Sequence, residues 1–383
     1  MDNILKLKPK VIELFAGAGG MTLGAIRAGF DVVLMVDIDK HCIETHKQNF
    51  TKAKHLDADV LTLTPDILYA QAGLKKGELC GLIGGPPCQG FSTIGKGDVE
   101  DPRNILFVRF FKLISECKPH FFVVENVPGI LNDKYNKIRE TALEYVKGKY
   151  VMLEPLRLKA NDYGAATSRE RIFFIGYKRA YINELTVKDF NDKKLTRKTK
   201  IKNALSGLPQ KINNNWDKDS EVFKKTKRMG SSFYAKSIAG RIPDGVGDEV
   251  FVKHYKEERI ITGCIGTKHS KAIIKRYGML KPGEVDEISR SVKLDMNSFC
   301  PTLRAGTGTD HGSFQAVRPI HPTQPRVITP REAARLQGFP DWFQFPKTKW
   351  HSFRQIGNSI SPFVSEAVFA AINKALLVSK FKE

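Results

Sequence analysis

The sequence has 383 residues, 41% of them hydrophobic, and no run of about 18 apolar residues; this excludes a disordered chain and a helix-spanned membrane protein and leaves material for one large and one smaller core. Lys and Arg number 62 against 41 Asp and Glu, a formal charge of +21 that suits a polyanionic partner. The six cysteines (Cys42, Cys80, Cys88, Cys117, Cys264, Cys300) form no CxxC pair and no closely spaced Cys/His cluster, so neither a disulfide framework nor a metal site is expected.

From Lys10 to Arg179 apolar runs of strand length alternate with segments of helical length. VIELFA, VVLMVD, LCGLIGG, FFVVENV and RIFFIGY are the strands of this pattern. The alternation predicts an α/β fold: a doubly wound, mostly parallel sheet covered by helices, with its chemistry beyond the C-terminal ends of the strands. The first such end carries Glu13-Leu-Phe-Ala-Gly-Ala-Gly-Gly-Met-Thr-Leu-Gly24, whose glycines let the backbone approach a ligand at a helix N-terminus; a plain strand-to-helix turn has the same composition. A dinucleotide loop starting at Gly17 and Gly19 would want glycine or alanine at Thr22, so a cofactor without a phosphate fits better. Asp37 closes the second strand and is placed for ribose hydroxyls, and Asp59 in HLDADV for an adenine amino group; each is otherwise a turn or cap residue.

The next end, Gly84-Gly-Pro-Pro-Cys-Gln-Gly-Phe-Ser92, sets Cys88 in a proline-stiffened polar loop, a setting for a held thiolate rather than a core cysteine. Glu125-Asn126-Val127 closes the following strand, so its carboxylate emerges on the same edge, either paired structurally or functional. Past Arg179 the sequence turns Lys/Asn-rich to about Pro325, and Lys178 to Arg228 alone hold 15 Lys/Arg against 6 Asp/Glu. Helical periodicity returns in TPREAARLQGF, where Thr329 caps, Pro330 starts and Glu332 completes a capping box, and in SPFVSEAVFAAINKALLVSKF, which is expected to fold back on the first domain. The organisation expected is 1–178, 179–325 and 326–383. Met1 to Lys10 lack the apolar stretch of a secretory signal, and a soluble, cytoplasmic protein is expected.

FAGAGG, PPCQGFS, ENV, RERIFFIG, REAARLQGFP and RQIGNSISP stand in this order, with a variable region before the last two. In these segments the chain resembles the cytosine-C5 DNA methyltransferases, and the resemblance spans both ends of the sequence. It implies a Rossmann-like domain for S-adenosyl-L-methionine, a target recognition domain at 179–325, and 326–383 packing back on the first. By the same resemblance Cys88 is the nucleophile that adds to cytosine C6, Glu125 hydrogen-bonds N3 and the exocyclic amine, Arg171 contacts O2 and Arg169 orients the pocket. The cofactor would meet Phe15, Ala16, Gly17, Gly19, Gly20, Asp37, Ile38, Asp59, Val60, Pro86, Asn358 and Ser359. Gln89 and Ser92 would line the nucleophile loop near DNA, and Thr302 and Arg304 of PTLR are candidates for DNA contact; Arg241, Lys268, His269, Arg276 and Tyr277 could contact phosphates or bases, and each is equally well read as exposed without a partner contact. Asp37 stands where the family usually has glutamate, Ile38 where an aromatic is frequent and Thr167 where glutamine is common.

The resemblance implies double-stranded DNA as partner, a base flipped out of the stack, and a bacterial or phage modification enzyme that works as a monomer at the nucleoid, with a restriction endonuclease as companion. The same chemistry on tRNA is the nearest alternative, and the basic region between RERIFFIG and REAARLQGF favours duplex DNA. A silent DNA-binding homologue would be expected to lose Cys88, Glu125 or Arg171, and all three are present.

Overall fold

The computed structural model describes residues 8–87, 104–213, 223–240, 242–305 and 318–377. Eight strands form the main sheet: β1 Lys10–Leu14, β2 Asp31–Asp37, β3 Lys54–Asp57, β4 Gly81–Gly84, β5 Phe121–Asn126, β6 Val151–Met152, β7 Leu156–Lys159 and β8 Glu170–Tyr177. Their order is β3-β2-β1-β4-β5-β8-β6, with β7 also on β8. The first five are mutually parallel, whereas β8 runs antiparallel to β5, β6 and β7. The sheet is thus mostly parallel and mixed; of the five apolar runs read as strands, RIFFIGY alone runs against its neighbour.

Alternation along the strands explains why both faces are covered. Ile12, Leu14, Leu82, Phe122, Val124, Ile172 and Phe174 point into one core with helices α3 Pro65–Ala72, α4 Asn104–Cys117 and α5 Asn136–Glu144. Val11, Ile83, Val123, Phe173 and Ile175 point into the other, beside α1 Gly20–Arg27; α2 Lys40–Asn49 follows β2. The chain order reverses between β1 and β4, so the loops after these strands flank the crevice where such sheets bind ligands.

Beyond β8 lie α6 Val187–Asn191, α7 Ile201–Ala204, a two-stranded antiparallel sheet of β9 Lys224–Lys225 and β10 Ile260–Ile261, which flank α8 Phe233–Ala239 and α9 Glu249–Glu258 in the chain, and α10 Lys271–Met279. The last helices are α11 Pro330–Gln337, α12 Lys349–Asn358 and α13 Pro362–Ala375. α13 packs along α1, where Ser365 Oγ donates to Gly20 O at 2.8 Å and Asn373 Nδ2 to Ala28 O at 2.6 Å. α11 has the capping box that its sequence predicts, with Thr329 and Glu332 exchanging bonds, but all eight of its residues are buried, Arg331, Glu332 and Arg335 included. Each of these charges is met: Glu332 by a bidentate Arg326, Arg331 by the carbonyls of Thr262, Pro340 and Phe343, and Arg335 by Asp341 and by Ala204 O and Ser206 O.

Candidate active site

The carboxyl edge of the parallel strands gathers the loop after β1, the end of β2, the loop after β4 and the end of β5. Glu125, the penultimate residue of β5, faces Arg171 across the antiparallel ladder, in which Asn126 pairs with Ile172. Arg171 Nε lies 2.7 Å from Glu125 Oε1, and both side chains keep about an eighth of their surface open, 13% and 15%. The direction of β8 creates this pair. A parallel β8 would carry its first residues to the opposite edge; running antiparallel, it brings Arg169 and Arg171 to the end of β5. Burial pushes the Glu125 carboxyl above its ordinary value, and the charges of Arg171 and Arg169 oppose that rise.

Gly85 fits against the same carboxylate, for a Cβ there would lie 2.7 Å from Glu125 Oε2. Asn126 Nδ2 donates to Pro86 O at 3.4 Å, and its Oδ1 accepts from Val127 N–H at 2.8 Å, fastening the loop after β4 to β5. Reading the sequence missed both residues; the double glycine and the buried amide inside ENV were the available signals. The described chain reaches Pro87, and Cys88, Gln89 and Ser92 lie outside the described residues, as does Arg241.

Arg169 is buried, its Nη2 donating to Asn358 O at 3.1 Å and its Nη1 to Leu303 O at 3.4 Å. It therefore ties the start of β8 to the GNS turn and to the PTLR segment. Residues 166–168 also pair with Cys300: Cys300 N–H donates to Ala166 O at 2.8 Å, and Ser168 N–H and Thr167 Oγ1 donate to Cys300 O. Thr167 is thus fully used in anchoring the segment that presents Thr302 and Arg304, both exposed.

On the other side of the crevice Asp37 folds the glycine loop back on β2. Its Oδ2 accepts from Gly17 N–H and its Oδ1 from Asp39 N–H, both at 2.8 Å, and burial raises its carboxyl above the usual range. Gly17 has φ +55 and open space where a Cβ would stand, while Phe15 holds a φ of 57 with its ring edge-on to Phe110. Ile38 is 66% exposed beside Asp37, an apolar side chain left open at the crevice. Ala16, Gly19, Gly20, Val60 and Pro86 are buried, and Gly19 and Gly20 sit where a Cβ would strike Phe50 and the carbonyl of Ile360. Asp59 caps the short turn Val60–Thr62 by accepting from Leu61 N–H at 2.9 Å. Asn358 is exposed, and Ser359, buried, accepts at its carbonyl from Gln337 Nε2 at 2.7 Å.

Beneath the glycine loop lies Glu13, 1% exposed, which accepts from Thr22 Oγ1 at 2.5 Å and is raised by burial to about 8. It is a neutral carboxyl under the crevice, unnoticed in the sequence because it lies inside an apolar strand. Of the middle-region residues read either as phosphate or base contacts or as exposed, Lys268 is exposed. Arg276 is paired with Asp286, the Tyr277 hydroxyl donates to Ser289 at 3.2 Å, and His269 Nε2 accepts from Val327 N–H at 3.3 Å, so these three serve the fold. Among the described residues no group of His, Cys, Asp or Glu is arranged to hold a metal ion, and no helix is long and apolar enough to cross a membrane.

The family model of C-5 cytosine-specific DNA methylases matches residues 9–374. The type II methyltransferase M.XorII of Xanthomonas oryzae pv. oryzae is 40% identical over 374 residues, which cover 96% of this chain and 85% of that protein. M.DdeI of Desulfomicrobium norvegicum, also a type II methyltransferase, is 29% identical over 95% of this chain and 88% of its own length. Among solved structures, a DNA modification methyltransferase encoded within an Escherichia coli prophage superposes with a TM-score of 0.85 at 47% identity, covering 96% of this chain and 99% of that one. The Dnmt2 methyltransferase of S. pombe, at 20% identity, shares the fold with a TM-score of 0.62 over 96% and 99% of the two chains. With its mixed sheet, its carboxylate and arginine at the sheet edge and its motifs in family order, the chain belongs to the C-5 cytosine-specific DNA methylases and is a DNA cytosine-5-methyltransferase.

Proposed function

We propose that the protein transfers a methyl group from S-adenosyl-L-methionine to C5 of a cytosine flipped out of a specific duplex DNA sequence, with Cys88 as covalent nucleophile. The observation that carries this reading is the Glu125–Arg171 pair, held at the edge of the sheet where the chain leads through Gly85 and Pro87 into Cys88. The donor site fits such a cofactor in three respects: open space over Gly17, an acidic residue at Asp37 whose further lone pairs can take ribose hydroxyls, and the exposed Ile38 for an adenine face. Phe15, Ala16, Gly17, Gly19 and Gly20 would hold the methionine end, Asp59 and Val60 the adenine edge, and Pro86, Asn358 and Ser359 the closing wall. When bound, the cofactor supplies an electrophilic methyl group.

In the neutral ring C5 is a poor nucleophile, so the thiolate of Cys88 adds to C6 and the C5–C6 π electrons move to C5. Glu125 meets N3 and the exocyclic amine; its raised carboxyl can give N3 a proton as the ring gains charge, while the Arg171 guanidinium contacts O2 and keeps the carboxyl in place. C5 would form its bond to the methyl carbon as the methyl–sulfur bond breaks and its electron pair stays on sulfur; a base then takes the C5 proton, those electrons restore the C5–C6 double bond as Cys88 leaves as thiolate, and N3 returns its proton to Glu125. Residues 179–325 would read the major groove, with Thr302, Arg304 and Arg241 as contacts beside Gln89 and Ser92 of the nucleophile loop. The type II names of the relatives support a restriction-modification role with a companion endonuclease; the protein would act as a monomer in a bacterial cytoplasm at the nucleoid.

Expression in a bacterial host without cytosine methylation, followed by conversion sequencing of its DNA, tests this reading. Modified cytosines confined to one short sequence are expected, and none with the Cys88→Ala variant. Unimpaired methylation by Cys88→Ala would end the covalent mechanism, and modification of tRNA alone would move the substrate.

A further inference from the structure

A cavity of about 260 Å³ opens beside the β9–β10 strand pair and the helices α8 and α9, lined by none of the residues assigned to the reaction. Lys227, Arg228 and Arg259 stand around it, and none of the three has a carboxylate partner among the described residues. The acidic side chain in the wall, Asp341, is already neutralised: Arg335 Nε and Nη2 hold its two oxygens at 2.7 and 2.6 Å. The wall thus carries an uncompensated excess of positive charge. Part of it is dry, since Tyr255 and Thr226 are buried, and charges along a low-dielectric wall act on an anion more strongly than charges on an open surface.

Arg259 supplies a second, independent observation. It closes α9 in the left-handed region, at φ 60 and ψ 32, where glycine or asparagine would sit without strain. Its guanidinium carbon lies 5.3 Å from the Tyr255 ring centroid, which fixes the cation at the cavity wall. A long cation at a left-handed helix end, held over a buried ring and joined at the cavity by two further cations, has the form of an anion clamp. Met229 and Ala239 complete the wall with apolar surface, which suits the carbon frame attached to a phosphate better than a bare ion.

We propose that this cavity is a phosphate-binding site, taking either a backbone phosphodiester of the duplex DNA or a small phosphorylated molecule. The first source rests on the function proposed above and the second does not. The test uses the full chain as wild type, as Arg259→Gly, whose backbone is at home in the left-handed region, and as Lys227→Ala/Arg228→Ala. Duplex binding is measured across a sodium chloride series with target and unrelated DNA, and thermal midpoints are measured against inorganic phosphate at constant ionic strength. If DNA fills the site, the slope of log K against log salt falls by about one for Arg259→Gly and about two for the double variant, equally for both duplexes. The Arg259→Gly midpoint is then expected to hold or rise. If a small phosphate compound fills it, inorganic phosphate raises the wild-type midpoint saturably, leaves Arg259→Gly unmoved, and the salt slopes of all three coincide. Three proteins indistinguishable in both measurements overturn the site. Methylation by the wild type, followed in the same samples, separates the two readings: methylation with no difference among the variants breaks only this inference, and no methylation with the phosphate effect intact breaks only the proposed reaction.

Discussion

Two arginine–carboxylate pairs in this protein use the same groups for opposite ends. Arg335 and Asp341 are sealed, 0% and 1% exposed, and the guanidinium also serves Ala204 O, Ser206 O and Thr226 Oγ1. Arg171 and Glu125 meet through one nitrogen and one oxygen and keep an open side, 13% and 15% exposed. In the first pair the hydrogen-bonding capacity is spent on the protein, fastening α11 to segments more than a hundred residues away. In the second, the described residues leave capacity over, and burial raises the carboxyl towards its protonated form. What separates the sealed pair from the one proposed for chemistry is the number of lone pairs and N–H groups that the described residues leave unspent.

That contrast can be broken by variants. Asp341→Ala strands a buried guanidinium and should cost about 3 to 5 kcal/mol of folding stability, measured by denaturant unfolding; a loss below about 1 kcal/mol would show that water reaches Arg335. Glu125→Gln should leave the unfolding midpoint nearly unchanged but raise the barrier to methyl transfer by about 2 to 4 kcal/mol, as for one preorganised donor removed. Single-turnover rates at saturating DNA and cofactor decide it, and a rate equal to wild type would take Glu125 out of the reaction.

Glu13 extends the comparison to a carboxyl that, among the described residues, has a single hydroxyl donor and no cation. Its pKa is raised from 4.5 to about 8, so the stability that its neutral form lends is complete below about pH 4.5 and is lost as pH rises through about 8. Thermal or denaturant unfolding from pH 5.5 to 7.5 should show wild type losing about 2 kcal/mol relative to Glu13→Gln; parallel pH profiles would mean that Glu13 is ionised in the fold. The smallest effect belongs to the open edge of the crevice. Ile38→Ala should weaken cofactor binding by about 1 kcal/mol by calorimetry, with stability unchanged because the side chain is 66% exposed. Equal affinity would place the adenine elsewhere.

Much of this was legible in the sequence, and in each legible case the signal is local. The strand-length runs VIEL, DVVLMVD, GLIG and FFVVEN became strands because apolar residues on both faces of the pleat need a helix layer on each side. Thr329, Pro330 and Glu332 formed their capping box because its partners lie within one turn. The glycine loop after β1 took the left-handed turn at Gly17 that its composition allows. Family order did the rest for Glu125 and Arg171, which the fold brings into contact.

Other features had no local signature. That β8 would run antiparallel depends on which edge the chain returns to after β7, and on this direction rests the meeting of Arg171 with Glu125. PREAARLQ holds three charged residues, yet it is buried throughout, because the groups that meet its charges come from Thr262, Ala204, Ser206 and Asp341. Gly85 against Glu125, and Thr167 against Cys300, are likewise contacts between distant segments. By itself the sequence determined the periodicity of the elements, the caps and turns, and the short motifs that carry the family, all set within a few neighbouring residues. Only the tertiary structure decided strand direction, the burial of charge and which polar groups remain unspent, since each is fixed by partners that meet only once the chain has closed around them.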